Sequence, residues 1–136
     1  MQSLNENNVR FLVVGGYAVA FHGHPRYTKD LDVWIEINPN NAQQLLQALE
    51  QFGFASLGLT TTDFLEPGMI VQLGYPPHRI DLIMGLAGVD FEECYHKRMI
   101  TEVGGVAVPF IDLENLRRNK QTVGRLQDLA DLENLA

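Results

Sequence analysis

Three acids and a pair of glycines carry the chemistry that this sequence offers. Asp30 and Asp32 stand one residue apart at the start of an alternating run that ends at Ile37. A strand repeats every two residues, so Asp30, Asp32, Trp34 and Glu36 share one face, and Leu31, Val33, Ile35 and Ile37 share the other. Two carboxylates side by side repel each other, an arrangement that a cation between them relieves. Asp81 is the third candidate, a lone acid in the apolar run Arg79–Met84. If the two strands are neighbours, three carboxylates meet, and three hard oxygen donors suit Mg²⁺ or Mn²⁺ rather than zinc. Each acid also has a plainer reading. Asp30 and Asp32 fit a solvated strand face, and Asp81 fits an ion pair with Arg79 or Arg26.

Gly15-Gly16 closes the apolar, β-branched run Val9–Val14. Glycine allows close backbone approach to a ligand and tolerates positive φ. Amides at such a turn, and at the N-terminus of a following helix, would face an anion, most naturally a phosphate. By itself a Gly-Gly is a tight turn. Together with the acids it implies a metal–polyphosphate substrate. His22 and His24 form a His-x-His, but zinc needs further nitrogen or sulfur ligands at set spacing, and His78 and His96 are the only other histidines. His22 is expected to cap a short helix or hold a carbonyl of the phosphate loop.

The elements that must position these groups follow from periodicity and punctuation. Val9–Val14 reads as a buried strand and Tyr17–Gly23 as a short helix. Asn38-Pro39 caps and opens a helix whose stripe is Leu45, Leu46, Leu49 and Phe52, ended by Gly53. Ala55–Gly68 reads as loop. Met69–Leu73 and Arg79–Met84 are two strands, and Val89–Lys97 is a helix. Gly104-Gly105 joins Met99–Val103 to Val106–Phe110 as a hairpin. Asp112–Val123 and Leu126–Leu135 are helices split near Gly124, with Leu113, Leu116, Leu126, Leu129, Leu132 and Leu135 as core or interface residues. This order gives an α/β (α+β) domain with a mixed β-sheet flanked by helices. Residues 1–136 form one domain, with the sheet core and its acids in 1–110 and the C-terminal helices in 111–136.

The chain has 136 residues, 46% hydrophobic and 20% charged, with a formal net charge of −7. That composition excludes simple disorder. The acidic balance argues against a broad basic surface for nucleic acid. Arg117, Arg118, Lys120 and Arg125 form the only dense basic stretch. The single cysteine, Cys94, excludes an internal disulfide framework and suits a reduced, cytoplasmic setting. No apolar run approaches the ~20 residues of a membrane helix. Phe11–Phe21 makes a poor signal peptide, because Glu6 and asparagines precede it where positive charge is needed.

Residues 12–37, LVVGGYAVAFHGHPRYTKDLDVWIEI, resemble the signature of the nucleotidyltransferase fold of the DNA polymerase β superfamily. The pattern is Gly-Gly or Gly-Ser, a gap near ten residues, Asp-x-Asp, then a third Asp on a later strand. Gly15, Gly16, Asp30, Asp32 and Asp81 match it. Ala18-Val19, His22-Gly23 and Arg26-Tyr27-Thr28-Lys29-Asp30-Leu31-Asp32 are similar to the small prokaryotic branch that includes minimal nucleotidyltransferases and AbiE-type toxins. The resemblance implies transfer of a nucleoside monophosphate from an NTP to an acceptor hydroxyl, with release of pyrophosphate. It makes Asp30, Asp32 and Asp81 the catalytic acids and ligands of two Mg²⁺ (or Mn²⁺) ions, with Asp81 also acting as, or orienting, the base. Gly15 and Gly16 would cradle phosphates. Arg26, Lys29 and Lys120 would contact polyphosphate, with Arg125 and Asp128 bracing the last helix. The acceptor could be a protein, a tRNA end or a small molecule. A homodimer, built on the hairpin Val103–Ile111, and an antitoxin partner are both compatible; a membrane partner is not expected. The alternative is a non-catalytic nucleotide-binding or interaction module, such as a toxin–antitoxin component, that retains the fold.

Overall fold

The computed structural model describes residues 2–23, 30–54, 57–74 and 79–135. Its centre is a short, wholly apolar strand. Phe11–Val14 forms β1, and all four of its residues are buried. A strand hidden on both faces has no polar side to offer, which is why this segment reads as a continuous apolar run rather than an alternation.

The other elements assemble around it. A short helix α1 (Gln2–Glu6) precedes β1, and α2 (Gly15–Phe21) follows it directly. Next come β2 (Leu31–Ile35), α3 (Pro39–Gln51), a 3₁₀ turn at Thr61–Phe64, β3 (Ile70–Leu73) and β4 (Ile80–Ile83). Then follow α4 (Phe91–His96), the hairpin β5 (Met99–Val103) and β6 (Val106–Phe110), α5 (Leu113–Val123) and α6 (Leu126–Asn134). The six strands make one mixed sheet in the order β3-β4-β2-β1-β6-β5. β1 runs antiparallel to β2 and parallel to β6, and β2 runs parallel to β4. This is the mixed, helix-flanked α+β architecture that the order of elements implies.

Both faces of the sheet are covered. Phe11, Val33 and Ile35 pack in one cluster with Leu4 of α1 and Leu45 and Leu49 of α3. Leu12, Val14 and Trp34 pack in a second with Ala18 and Val19 of α2, Cys94 of α4 and Leu116 of α5. Burial pushes the Cys94 thiol up to about 12, helped by the nearby acids Asp112, Glu93 and Asp90, so this cysteine behaves as a small apolar core residue.

Several sequence readings shift. Gly15-Gly16 is the first turn of α2 rather than a turn ahead of it. Trp34 is buried, so β2 is two-sided and shorter than the alternation suggested. Phe52, expected in the α3 stripe, is 62% exposed because α3 ends at Gln51. Of the hairpin strands β5, not β6, lies at an edge of the sheet, with Met99, Ile100 and Val103 exposed along it. Among the described residues no helix is long and apolar enough to cross a membrane.

One buried amide clips the two central strands together at the end remote from the acids. Asn41, 2% exposed, accepts from the Arg10 N–H at 2.7 Å and donates to the Arg10 and Glu36 carbonyls at 3.1 and 2.9 Å. Asn38 caps α3 by accepting from Asn41 N–H at 2.7 Å, as the Asn-Pro pair foretells. Asn41→Ala takes this partner from the Arg10 N–H and the Glu36 carbonyl, while the Arg10 carbonyl keeps the Glu36 N–H at 3.3 Å, and is expected to cost about 2 kcal/mol in urea unfolding. The exposed neighbour substitution Asn40→Ala should fall within about 0.5 kcal/mol of wild type.

Candidate functional site

The register of two parallel strands brings the acids together. Leu31 pairs with Ile80 and Asp32 with Asp81. Aligned residues of neighbouring strands sit about 5 Å apart with side chains on the same face. One step back along that register, Asp30 lies opposite Arg79, and the Leu31 N–H donates to the Arg79 carbonyl at 3.0 Å. The tripeptides Asp30-Leu31-Asp32 and Arg79-Ile80-Asp81 are therefore laid side by side.

The resulting square holds three acids and one base. Arg79 Nη2 donates to Asp30 Oδ2 at 2.8 Å and to Asp81 Oδ2 at 3.2 Å, and its Nε donates to Asp81 Oδ1 at 2.9 Å. The ion pair of Asp81 with Arg79, the plainer reading of that acid, is thus present. It coexists with the convergence of the acids. The hydrogen bond and charge of Asp81, with Asp30 and Asp32 beyond, hold the Arg79 guanidinium firmly protonated.

Asp32 is the strained member. Burial, then the charges of Asp81 and Asp30, push its carboxyl up from 3.8 to about 6, against partial relief from Lys120 and Arg79. Gly15 presses on it from the other side, because Val14 at the end of β1 pairs with Asp32. Gly15 has φ +67°, and a Cβ placed there would lie 2.2 Å from Asp32 Oδ2. Glycine is required at this position twice over, by backbone conformation and by the carboxylate.

Lys120 lies behind the site. Expected at a triphosphate, it is held in this structure by two acids of α6. Its side chain is 6% exposed, and its ammonium lies 3.3 Å from Asp128 Oδ1 and 2.9 Å from Asp131 Oδ2. Burial pushes the Asp128 carboxyl up, but hydrogen bonds from Arg125 and Lys120 outweigh this and hold it below the usual range. Arg125 and Asp128, expected to brace the last helix against the sheet, form a local pair at the start of α6, at 2.7 Å. Helix α6 turns these acids inward and its leucines out: Leu126 is 88% and Leu129 49% exposed, not core residues. The basic stretch is partly compensated, with Arg117, Arg118 and Arg125 at the surface. Lys120 is buried, Arg118 pairs with Glu114 and Glu93, and Arg125 pairs with Asp128.

His22 holds a carbonyl, but that of Ile111, with 2.7 Å between Nε2 and the oxygen. It ties the end of α2 to the end of β6 rather than to the glycines. Arg26 and Lys29, like His24 and His78, lie outside the described residues. Sequence reasoning missed the grip of Arg79 on two acids at once and the part played by Asp131. The first had a signal, an Asp-x-Asp and an Arg-x-Asp that align in parallel strands.

The donor set fits a hard divalent cation in kind: three carboxylates on adjacent strand positions, one of them destabilised by its like-charged neighbours. As arranged, no group of three His, Cys, Asp or Glu among the described residues is ready to hold an ion, and here the Arg79 guanidinium engages two of the acids.

A mixed sheet that pairs an Asp-x-Asp strand with a third acid on its neighbour, beside a Gly-Gly helix start, defines a nucleotidyltransferase-type fold, and solved structures agree. A proposed nucleotidyltransferase from Thermotoga maritima is similar with a TM-score of 0.63 at 16% identity, over 98% of this chain and 85% of that one. An antigenic nucleotidyltransferase-like protein from Paracoccidioides brasiliensis is similar with a TM-score of 0.54 at 17% identity, over 98% of this chain and 70% of that one. The chain belongs to the family described as nucleotidyl transferase of unknown function (DUF2204), whose pattern it matches over residues 1–136. No protein of curated function matches it in sequence.

Two outcomes follow from the geometry. Between pH 3.8 and about 6 the folded state keeps a proton on Asp32 that the unfolded chain has already released, so stability falls through that window and the full cost of ionised Asp32 stands above it. Asp32→Asn should therefore raise the melting temperature at pH 7.5 by a gain on the order of 1–2 kcal/mol, shrinking as pH falls from about 6 and absent below about 4. Circular-dichroism melts across that range check it, and a pH-independent difference would contradict it. Gly15→Ala should lower stability by about 1–2 kcal/mol through its positive φ alone, and should displace the Asp32 carboxylate, read by a shift of its ¹³C-detected titration.

Proposed function

We propose that this chain is a metal-dependent nucleotidyltransferase that moves a nucleoside monophosphate from an NTP to an acceptor hydroxyl and releases pyrophosphate. The observation that carries the reading is the direct pairing of Asp32 with Asp81 across parallel strands. Like charges directly opposite on neighbouring strands destabilise a sheet. A fold gains nothing from that pairing by itself, and a substrate that arrives with cations explains it.

Each residue then has a task. Asp30, Asp32 and Asp81 would hold Mg²⁺ or Mn²⁺. Such ions, when bound, neutralise polyphosphate charge and stabilise the attacking and leaving oxygens. Asp81, the more deeply covered of the pair that Arg79 grips, with its side chain 13% exposed against 35% for Asp30, would orient the acceptor hydroxyl or take its proton. Gly15 keeps the space beside Asp32 clear of any side chain, and with Gly16 gives phosphates close access to backbone. Arg26 and Lys29 would meet the polyphosphate from the segment ahead of Asp30. Lys120 acts at a distance: its charge favours ionised Asp32, while Asp128 and Asp131 hold it in place. Catalysis of this kind rests on positioning and charge neutralisation.

The test uses each α-labelled NTP with Mg²⁺ and, in turn, protein extract, tRNA and aminoglycosides as acceptors. Labelled acceptor is expected, reduced about a hundredfold or more in Asp32→Asn. Absence of transfer with every NTP and acceptor class would overturn the transferase reading. Calorimetric binding of Mg-NTP without turnover would support instead a nucleotide-binding module on the same fold.

A further inference from the structure

The place where a cation is wanted already has one. Arg79 bridges Asp30 and Asp81 with three charge-assisted hydrogen bonds of 2.8–3.2 Å. A guanidinium fork and a metal ion use the same carboxylate lone pairs, so they compete for these oxygens. Arg79 is also built to leave. Its backbone carbonyl is pinned by the Leu31 N–H at 3.0 Å, so β4 keeps its register whatever the side chain does. The side chain is 27% exposed. Its stem is long and flexible, and its planar fork suits a phosphate as well as a carboxylate.

We propose that Arg79 is an exchangeable counter-cation, which holds Asp30 and Asp81 when no nucleotide is bound, disfavours a free divalent ion, and transfers to the polyphosphate when the ion arrives with a nucleotide. This rests on the reading of the three acids as ion ligands. It adds a selection: the site discriminates a metal–nucleotide complex from the bare metal. The free ion must displace the guanidinium with nothing to receive it. The nucleotide complex brings an anion that takes it over. By linkage, whatever the ion loses to Arg79, Arg79 loses to the ion.

The experiment is a Mn²⁺ titration of the full chain, followed by the electron paramagnetic resonance signal of the free ion, with and without a non-hydrolysable NTP analogue. Arg79→Gln is expected to bind Mn²⁺ alone about fivefold or more tighter than wild type. Its melting temperature without metal should be lower, and Mn²⁺ should close the gap. With the analogue present the advantage should vanish or reverse, because the variant has no guanidinium to give the phosphates. Arg79→Lys, which keeps the charge without the fork, should fall between, and it serves as the second variant if the glutamine form folds poorly. Asp32→Asn marks the site by weakening Mn²⁺ binding in every background. Equal or weaker Mn²⁺ binding by Arg79→Gln, with the Asp32→Asn effect intact, would overturn the exchange while leaving the metal reading standing. Absence of Mn²⁺ binding by every chain, with and without analogue, would overturn both.

Discussion

Repulsion between carboxylates on neighbouring strands sets the terms for the rest of this molecule. Asp32 and Asp81 are fixed opposite each other by the register of β2 and β4, and no rotation of either side chain can carry them far apart. Among the described residues two cations relieve them from different directions. Arg79 engages Asp81 and Asp30 from the open side. Lys120 acts on Asp32 from within, through charge rather than contact. The inner cation needs its own compensation, because a buried ammonium without partners is costly. Asp128 and Asp131 provide it, and Arg125 ties down Asp128. A chain of alternating charge thus runs from the strand ends through α5 into α6.

That chain explains the unusual orientation of the last helix. An amphipathic helix normally turns its leucines to the core. Here α6 buries Asp128 and Asp131 and leaves Leu126 and Leu129 exposed, while Leu135 at its end returns to the core. The electrostatic demand at Lys120 outranks the hydrophobic preference of two leucines. Their burial would contribute about 4–6 kcal/mol together at most, and the turn that achieved it would strand the buried ammonium from both of its carboxylates.

How much of this was visible in the residues depends on the range of the interaction. Local features were legible. The Asn38 cap, the hairpin at Gly104-Gly105 and the α5 cap at Asp112 depend on neighbours a few positions away. The convergence of Asp30, Asp32 and Asp81 was legible as a condition, since alternation sets the face of each strand but not which strands are neighbours. The inward turn of α6 was not legible, because the same leucines fit either face until Lys120 is known to be buried. Nor did the acidic total foretell this local balance, since the charges that matter are a few at one place and are themselves compensated.

The long connection between β2 and β4 has a consequence for how the protein comes into being. Asp32 and Asp81 are joined by a parallel pairing, and everything between them, α3 and β3 included, must be made before that pairing can form. Non-local contacts of this kind carry a loop-closure cost and form slowly compared with hairpins and helices. The β5–β6 hairpin and α3 can form early, but the acidic cluster has no existence until the sheet closes. A growing or partly folded chain therefore presents Asp30 and Asp32 without Asp81 or Arg79, and has no assembled acidic cluster. Competence at the site and completion of the fold arrive in the same event.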